Sequence, residues 1–149
     1  MDPDSEEIRE VFARYGLAMY QASGLERQIA LCISGRLDPR EVSRWRLEDE
    51  LMQHFEKTFG QLVLKLRGAM ELSPEVENSL RTALEKRNWL VHDYWWERAT
   101  DFVTTDGRQR MIAELSELAD RFSDIDSVLE KQYTEALKHF GVPLDDPRF

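Results

Sequence analysis

The chain has 149 residues, of which 42% are hydrophobic and 33% are charged. This length and composition are typical of one soluble folded domain and exclude a disordered segment or a disulfide-stapled miniprotein. The formal net charge of −9 argues against a protein that coats nucleic acid through bulk positive charge. No apolar run approaches the roughly 20 residues of a membrane span, and the acidic start is unlike a signal peptide, so we expect a cytoplasmic protein.

The apolar spacing of the first forty residues predicts a helix. Asp4 is expected to begin it, with Glu7 completing a capping box, and the segment from Ser34 to Pro39 ends it. Cys32, the single cysteine, is expected to be a buried apolar side chain, with a free reactive thiol as the alternative. The apolar stripe of this helix consists of Ile8, Val11, Phe12, Tyr15, Met19, Ala22, Leu25, Ile29 and Cys32.

Two further helical regions follow. One runs from near Arg40 to Met70, with a predicted break at Gly60. The next begins at Ser73 and Pro74, a hydroxyl N-cap followed by proline in the first turn. Its apolar positions are Val76, Leu80, Ala83, Leu84 and Leu90.

The last predicted helix has a strict apolar spacing of three and four residues over about four heptads, as in a helical bundle. Asp106 and Gln109 are expected to cap its start, and Gly141 and Pro143 to end it. No segment alternates like a β-strand. We therefore predict an all-α, elongated up-and-down bundle of four to five main helices, a single domain over 1–149 with its core at about 5–140 and a short polar C-terminal tail. The apolar positions of the last helix are Met111, Leu115, Leu118, Phe122, Ile125, Leu129, Tyr133, Ala136 and Phe140.

The segment RNWLVHDYWWER, residues 87–98, sets polar groups among aromatic side chains. Helical periodicity places Arg87 and Tyr94 on the apolar stripe, where a guanidinium needs a partner or an interface. Asn88 and His92 are four residues apart and can hydrogen-bond or share a ligand. A structural interpretation makes His92 a core or interface histidine and pairs Arg87 with Glu26, Glu71 or another acid.

Other sites are weakly indicated. Glu50 and His54 lie one helical turn apart, but two ligands without a third are better explained as a solvated helix face. His139 lies near the end of the last helix, where the helix dipole favours a positive charge. We assign it no more specific role. We expect no metal and no cofactor.

Arg87-Asn88, followed by His92 and then by Tyr94 two residues later, resembles the motif of the HEPN superfamily and of its HepT-type toxins. The resemblance implies a homodimer in which two copies of Arg87, Asn88 and His92 form one composite site. It also implies a metal-independent endoribonuclease of a toxin–antitoxin or phage-defence system. Histidine changes its charge near neutral pH, which suits proton transfer from a ribose 2′-hydroxyl, while arginine holds the phosphate.

The same resemblance suggests further roles. Tyr94 is expected to be a site where a nucleotidyltransferase antitoxin attaches AMP. RNA, but not DNA, is the expected substrate, contacted by Arg81, Lys86, Arg98 and Trp95. The tryptophans can stack bases or fill the interface. Some HEPN domains are inactive, so the alternative is a non-catalytic dimerisation or interaction module in which the Arg/His motif is structural.

Overall fold

A computed structural model describes residues 2–34, 61, 64, 66 and 72–139 of the chain. This part of the protein is an all-α bundle without β-strands, as the sequence predicts. Its helices are α1 (Pro3–Ser34), α2 (Pro74–His92), α3 (Tyr94–Glu97), α4 (Ala99–Phe102) and α5 (Thr105–His139).

Several predictions fall on other positions. The helical region from Arg40 to Met70, with its break at Gly60, lies outside the described residues except at positions 61, 64 and 66, which are helical. The stop at Gly141 and Pro143 and the C-terminal tail also lie outside them.

The start of α2 confirms its sequence signal. The Val76 amide donates to Ser73 Oγ at 3.2 Å, and Pro74 is the first helical residue. The hydroxyl satisfies an amide that has no acceptor inside the helix, and proline at this position has no amide to satisfy.

The caps predicted for α1 and α5 are wrong. α1 begins at Pro3, and the Asp4 amide donates to Asp2 Oδ1 at 3.4 Å. α5 begins at Thr105, and the Gly107 amide donates to the hydroxyl of Thr104 at 3.0 Å. In each case the capping oxygen lies two residues earlier than predicted.

The side chains named for those caps connect the two helices instead. Glu7 accepts a hydrogen bond from Gln109 Nε2 at 2.7 Å and another from Arg108 Nη2 at 3.3 Å. Arg108, which is buried, also donates to Asp4 Oδ1 at 2.8 Å. A cross-helix polar network therefore occupies the carboxylates that a capping box would use.

Two compact units make up the chain. The first comprises Met1–Gly24 and Arg81–Asp124, and the second comprises Leu25–Leu80 and Ile125–Phe149. A single domain over 1–149 stays a prediction. The buried apolar residues of the first unit are Val11, Ala18, Ala22, Ala83, Leu90, Tyr94, Met111, Leu115, Leu118, Ala119 and Phe122. Those described in the second unit are Leu25, Ile29, Cys32, Leu66, Leu80 and Leu129.

The predicted stripes agree with this core except at their edges. Phe12 is 53% exposed, although it was predicted to face the core, whereas Ala18 is buried without having been predicted. The buried thiol of Cys32 is confirmed: its Sγ donates to the Leu129 carbonyl at 3.6 Å, and burial raises its pKa to about 11. Since the thiolate is the reactive form, this environment does not suit a reactive thiol. None of the described helices combines the length and apolar character that crossing a membrane requires.

Candidate functional site

The predicted motif lies at the C-terminal end of α2, and His92 is the last residue of that helix. The backbone at Asp93, with φ −122° and ψ −21°, leaves the helical conformation before α3 begins at Tyr94. The Asp93 amide still donates to the Trp89 carbonyl at 2.9 Å, so the interruption is local. The assumption of one continuous helix through Tyr94 is therefore wrong by a single residue.

The polar residues of the motif lie at the surface. Asn88 and His92 are both exposed and lie one turn apart on the same side of α2. Arg87 is half-buried, and its Nη1 donates to Asn88 Oδ1 at 3.3 Å. The interpretation of His92 as a core histidine is wrong, because its side chain is exposed.

The structure does not test the ion pairs that the sequence suggests for Arg87. Glu71 lies outside the described residues. An ion pair with Glu26 stays a prediction. The structure therefore joins the Arg87 guanidinium to the Asn88 amide, and it places the exposed imidazole of His92 one turn further along the same helix end.

Tyr94 has the opposite environment. It is fully buried, with ring-centroid separations of 5.6 Å from Tyr15, 5.0 Å from Trp89 and 5.4 Å from Trp95. Its hydroxyl has no hydrogen-bond partner among the described residues. Burial, followed by the negative charge of Glu114, raises the pKa of Tyr94. A buried, protonated hydroxyl does not fit the expected role of Tyr94 as an acceptor of AMP.

α1 holds the motif helix through Tyr15. The Tyr15 hydroxyl donates to the Leu90 carbonyl at 2.8 Å. Leu90 is among the last four residues of α2, and the carbonyls of these residues receive no hydrogen bond from an amide of the same helix. The hydrogen bond from Tyr15 therefore gives the Leu90 carbonyl a partner. It also fixes the position of the end of α2 along the axis of α1.

A second set of contacts, which includes charged side chains, holds Trp89 near the end of α2 and Arg98 beyond it. Trp89 Nε1 donates to Glu97 Oε2 at 2.8 Å, and the guanidinium of Arg98 lies 5.0 Å from the Trp89 ring centroid. Arg98 also donates two hydrogen bonds, each of 2.9 Å, to the carboxylate of Glu114, which raise its pKa. Such a bidentate pair fixes both side chains.

The residues predicted to contact RNA differ in their exposure and in their side-chain contacts. Arg98 is neutralised by Glu114, and Trp95 is half-buried against Phe12 and Tyr15, with ring centroids 5.3 and 5.0 Å away. Lys86 Nζ lies 5.2 Å from the Trp89 centroid. Arg81 is exposed. Of this group, Arg98 and Trp95 have structural contacts that oppose a direct role in substrate binding.

Sequence reasoning missed the contribution of α1 to this region. Phe12, Tyr15 and Phe102 complete an aromatic cluster with Trp89, Tyr94 and Trp95. The available signal was the pair of aromatic residues three positions apart in the stripe of the first helix. Nothing in that spacing identifies which distant helix they meet.

Metal ligation has no candidate in the described part of the chain, where no three His, Cys, Asp or Glu side chains group closely enough to hold an ion. The pair Glu50 and His54 lies outside the described residues, and the side chain of His139 is likewise not described.

Comparison of the sequence with protein-family models and with curated proteins, and of the fold with solved structures, gave no match.

Proposed function

We propose that the chain is a metal-independent endoribonuclease of the HEPN type, acting as a homodimer with a composite Arg/His site. The observation that carries the proposal is the exposed pair Asn88 and His92 at the end of α2, with Arg87 hydrogen-bonded to Asn88. The imidazole of His92 would act as the base, the guanidinium of Arg87 would be the cation, and the amide of Asn88 would be the polar orienting group.

In the proposed reaction, His92 of one copy accepts the proton of a ribose 2′-hydroxyl. The 2′-oxygen attacks the adjacent phosphorus, and the bond from phosphorus to the 5′-oxygen breaks. The second copy's histidine, in its protonated form, gives a proton to the leaving 5′-oxygen. The products are a 2′,3′-cyclic phosphate and a 5′-hydroxyl. Arg87 stabilises the negative charge that develops on the phosphate oxygens, and Asn88 orients Arg87 through their hydrogen bond.

Electrostatics limit the affinity of this site. Exposed Glu85 and Asp93 flank the motif, and the whole chain carries a net charge of −9. Arg87, Lys86 and exposed Arg81 are the cations on the same helix. A dimer doubles the acids as well as the cations, so the proposal requires the two-fold axis to bring the two Arg87 side chains to the same phosphate. RNA binding is then expected to depend on dimerisation and to weaken as salt increases.

The alternative function is a non-catalytic dimerisation or interaction module. Exposed apolar side chains favour it: Val91 lies between the polar residues of the motif, and Trp96 is 88% exposed. Large exposed apolar groups of this kind are common where another protein binds. In that case the Arg/His motif would be part of the interface and would not carry out a reaction.

The deciding experiment uses purified full-length protein in EDTA, incubated with single-stranded RNA and with DNA of the same sequence. RNA alone should be cut, because DNA lacks the 2′-hydroxyl, and mass spectrometry should identify cyclic phosphate ends. His92→Ala and Arg87→Ala should each lose cleavage. Matched controls are Asn78→Ala, an exposed position of α2, and Arg121→Ala, an exposed arginine of α5; both should cut as wild type does.

Each result assigns a function. A wild-type dimer that cuts no RNA supports the interaction module, and cleavage that survives His92→Ala points to a contaminating nuclease. The toxin or phage-defence role is tested separately by expression in bacteria. Wild type should arrest growth, and His92→Ala should not.

A further inference from the structure

The three tryptophans of residues 87–98 differ in what their rings contact. Trp89 is held by a hydrogen bond and by cations over its ring, and Trp95 packs against two rings of α1. Trp96 is 88% exposed, and it belongs to none of the ring pairs that the described aromatic residues form. Packing therefore accounts for two of these rings and leaves Trp96 without a structural role.

Trp96 lies one helical turn after His92. The backbone keeps helical hydrogen bonds across the break: the Asp93 amide donates to the Trp89 carbonyl, and the Glu97 amide to the Asp93 carbonyl, each at 2.9 Å. Four residues of a helix rise about 6 Å and return to nearly the same side. The exposed indole of Trp96 and the exposed imidazole of His92 therefore belong to neighbouring turns on one side of the chain.

The side chains that follow Trp96 on this side are small. Ala99 and Thr100, three and four residues later, are both exposed. Neither is large enough to cover an indole ring, so the ring stays accessible to a flat partner. Stacking of a nucleic-acid base on a protein requires only an accessible aromatic face and a base that is free to lie on it.

Charge determines which part of an RNA strand can approach Trp96. Asp93 and Glu97, both exposed, flank it in sequence and disfavour a phosphate there. The proposed phosphate ligand, Arg87, lies on the other side of His92 along the helix. A strand whose scissile phosphate lies at Arg87 therefore meets Trp96 with an uncharged base.

We propose that Trp96 binds RNA by stacking on a base next to the nucleotide on which His92 acts. The inference rests on the proposed function, because His92 and Arg87 set the position of the strand. The base must be unpaired, since a base inside a duplex is already stacked between its neighbours. The substrate class is therefore single-stranded RNA with little sequence preference, because every base has a face that can stack.

A binding measurement that does not depend on cleavage tests the stacking. The probe is an end-labelled single-stranded 2′-O-methyl RNA, which has no free 2′-hydroxyl and cannot be cut, and fluorescence anisotropy gives its affinity. Trp96→Ala should weaken binding about 5- to 150-fold. Trp96→Phe should keep most of the affinity, whereas Trp96→Leu, which is apolar but has no aromatic face, should not. Tyr20→Ala is the matched control, because it removes a ring that is 73% exposed on α1, and it should bind as wild type does.

Salt dependence separates stacking from phosphate contact. Trp96→Ala should weaken binding by the same factor at every salt concentration, so the slope of log affinity against log salt stays at its wild-type value. Arg87→Ala should make that slope shallower, because it removes a phosphate contact. In cleavage of unmodified RNA, Trp96→Ala should raise KM and leave kcat nearly unchanged.

The outcomes distinguish this inference from the proposed function. Trp96 is exposed, so Trp96→Ala should fold normally, and light scattering should give it the wild-type mass. A lower mass would make Trp96 an interface residue and overturn the stacking. Wild-type affinity in Trp96→Ala, or in Trp96→Leu, would also overturn it, even if His92→Ala has lost cleavage and the ribonuclease stands.

The reverse combination is equally clear. A wild type that binds the probe through Trp96 but cuts no RNA would retain the stacking surface and overturn the ribonuclease. A wild type that does not bind the probe would overturn the stacking.

Discussion

The hydroxyl of Tyr15 on α1 donates a hydrogen bond of 2.8 Å to the carbonyl of Leu90 on α2. The two residues are 75 positions apart in sequence. Tyr15 also stacks on Tyr94, with ring centroids 5.6 Å apart. One side chain of the first helix thus supports both the last turn of the motif helix and the aromatic residue that follows its break.

Replacement of Tyr15 by phenylalanine removes the hydroxyl and leaves the ring. We expect Tyr15→Phe to lower the free energy of unfolding by about 1 kcal/mol, because the Leu90 carbonyl loses its hydrogen bond. Urea denaturation followed by circular dichroism measures the change. Tyr20→Phe is the matched control: Tyr20 is largely exposed on the same helix and should change stability by no more than a few tenths of a kcal/mol. Equal effects of the two variants would contradict the role assigned to the hydrogen bond.

The helices themselves were predictable, because local signals determine them. Ser73 and Pro74 mark the start of α2, and the spacing from Met111 to Leu129 predicts a continuous α5. The caps of α1 and α5 were not predictable from local patterns. Asp4 and Glu7 are adequate capping residues, but the long-range network with Arg108 takes their carboxylates.

The residues of the candidate site are chosen from the sequence, whereas the environments of Tyr94 and Arg98 could not be predicted from it. Helical periodicity places Tyr94 on the apolar stripe, and Tyr94 is buried. Periodicity did not predict the backbone break at Asp93 or the stacking of Tyr94 on Tyr15 of α1. The sequence left Arg98 available to RNA because its bidentate partner, Glu114, is 16 positions away, on α5. Pairings between helices depend on tertiary packing, which periodicity does not encode.

His92 and Leu90 should separate surface chemistry from core packing. Leu90 is fully buried and His92 is exposed, although they are two residues apart. We expect Leu90→Ala to cost roughly 2–5 kcal/mol of stability, because it leaves a cavity in the core. His92→Ala should change stability by less than about 0.5 kcal/mol, as exposed substitutions usually do. Comparable melting temperatures for the two variants would contradict the burial of Leu90 and the exposure of His92.

Acid should weaken the network between α1 and α5. Hydrogen bonds from Gln109 and Arg108 hold the pKa of Glu7 below its ordinary value of 4.5, although partial burial opposes them. A carboxylate whose pKa is lower in the folded state stabilises the protein above its unfolded pKa and loses that contribution as the pH falls through the folded pKa. Glu7→Gln should therefore be less stable than wild type at neutral pH, with the difference shrinking below pH 4.5.

Urea denaturation at a series of pH values measures this effect. Glu117→Gln is the control, because Glu117 is an exposed carboxylate in an ion pair with Arg121 on a single helix. Exposed pairs of this kind contribute little, so its stability should follow the wild-type pH profile. A constant difference between Glu7→Gln and wild type down to strongly acidic pH would show that the ionised form of Glu7 is not what stabilises the contact.

Gly107→Ala is expected to change the stability of the protein in the direction opposite to that given by helix propensity. It lies in the first turn of α5, where alanine would ordinarily stabilise a helix by up to about 1 kcal/mol relative to glycine. An added Cβ, however, would overlap the backbone carbonyl group of Asp101. Backbone cannot move aside as a flexible side chain does, so we expect Gly107→Ala to destabilise the protein by about 1–3 kcal/mol.

Gly24→Ala provides the opposite test on α1. A Cβ at that position meets nothing within 4 Å, so propensity alone should act, and the variant should be more stable by up to about 1 kcal/mol. Parallel urea titrations of the two variants measure both signs in one experiment. The two substitutions are expected to differ in sign only because Asp101 approaches the start of α5 closely. If both alanines stabilise the protein, that close approach does not exist in the folded chain.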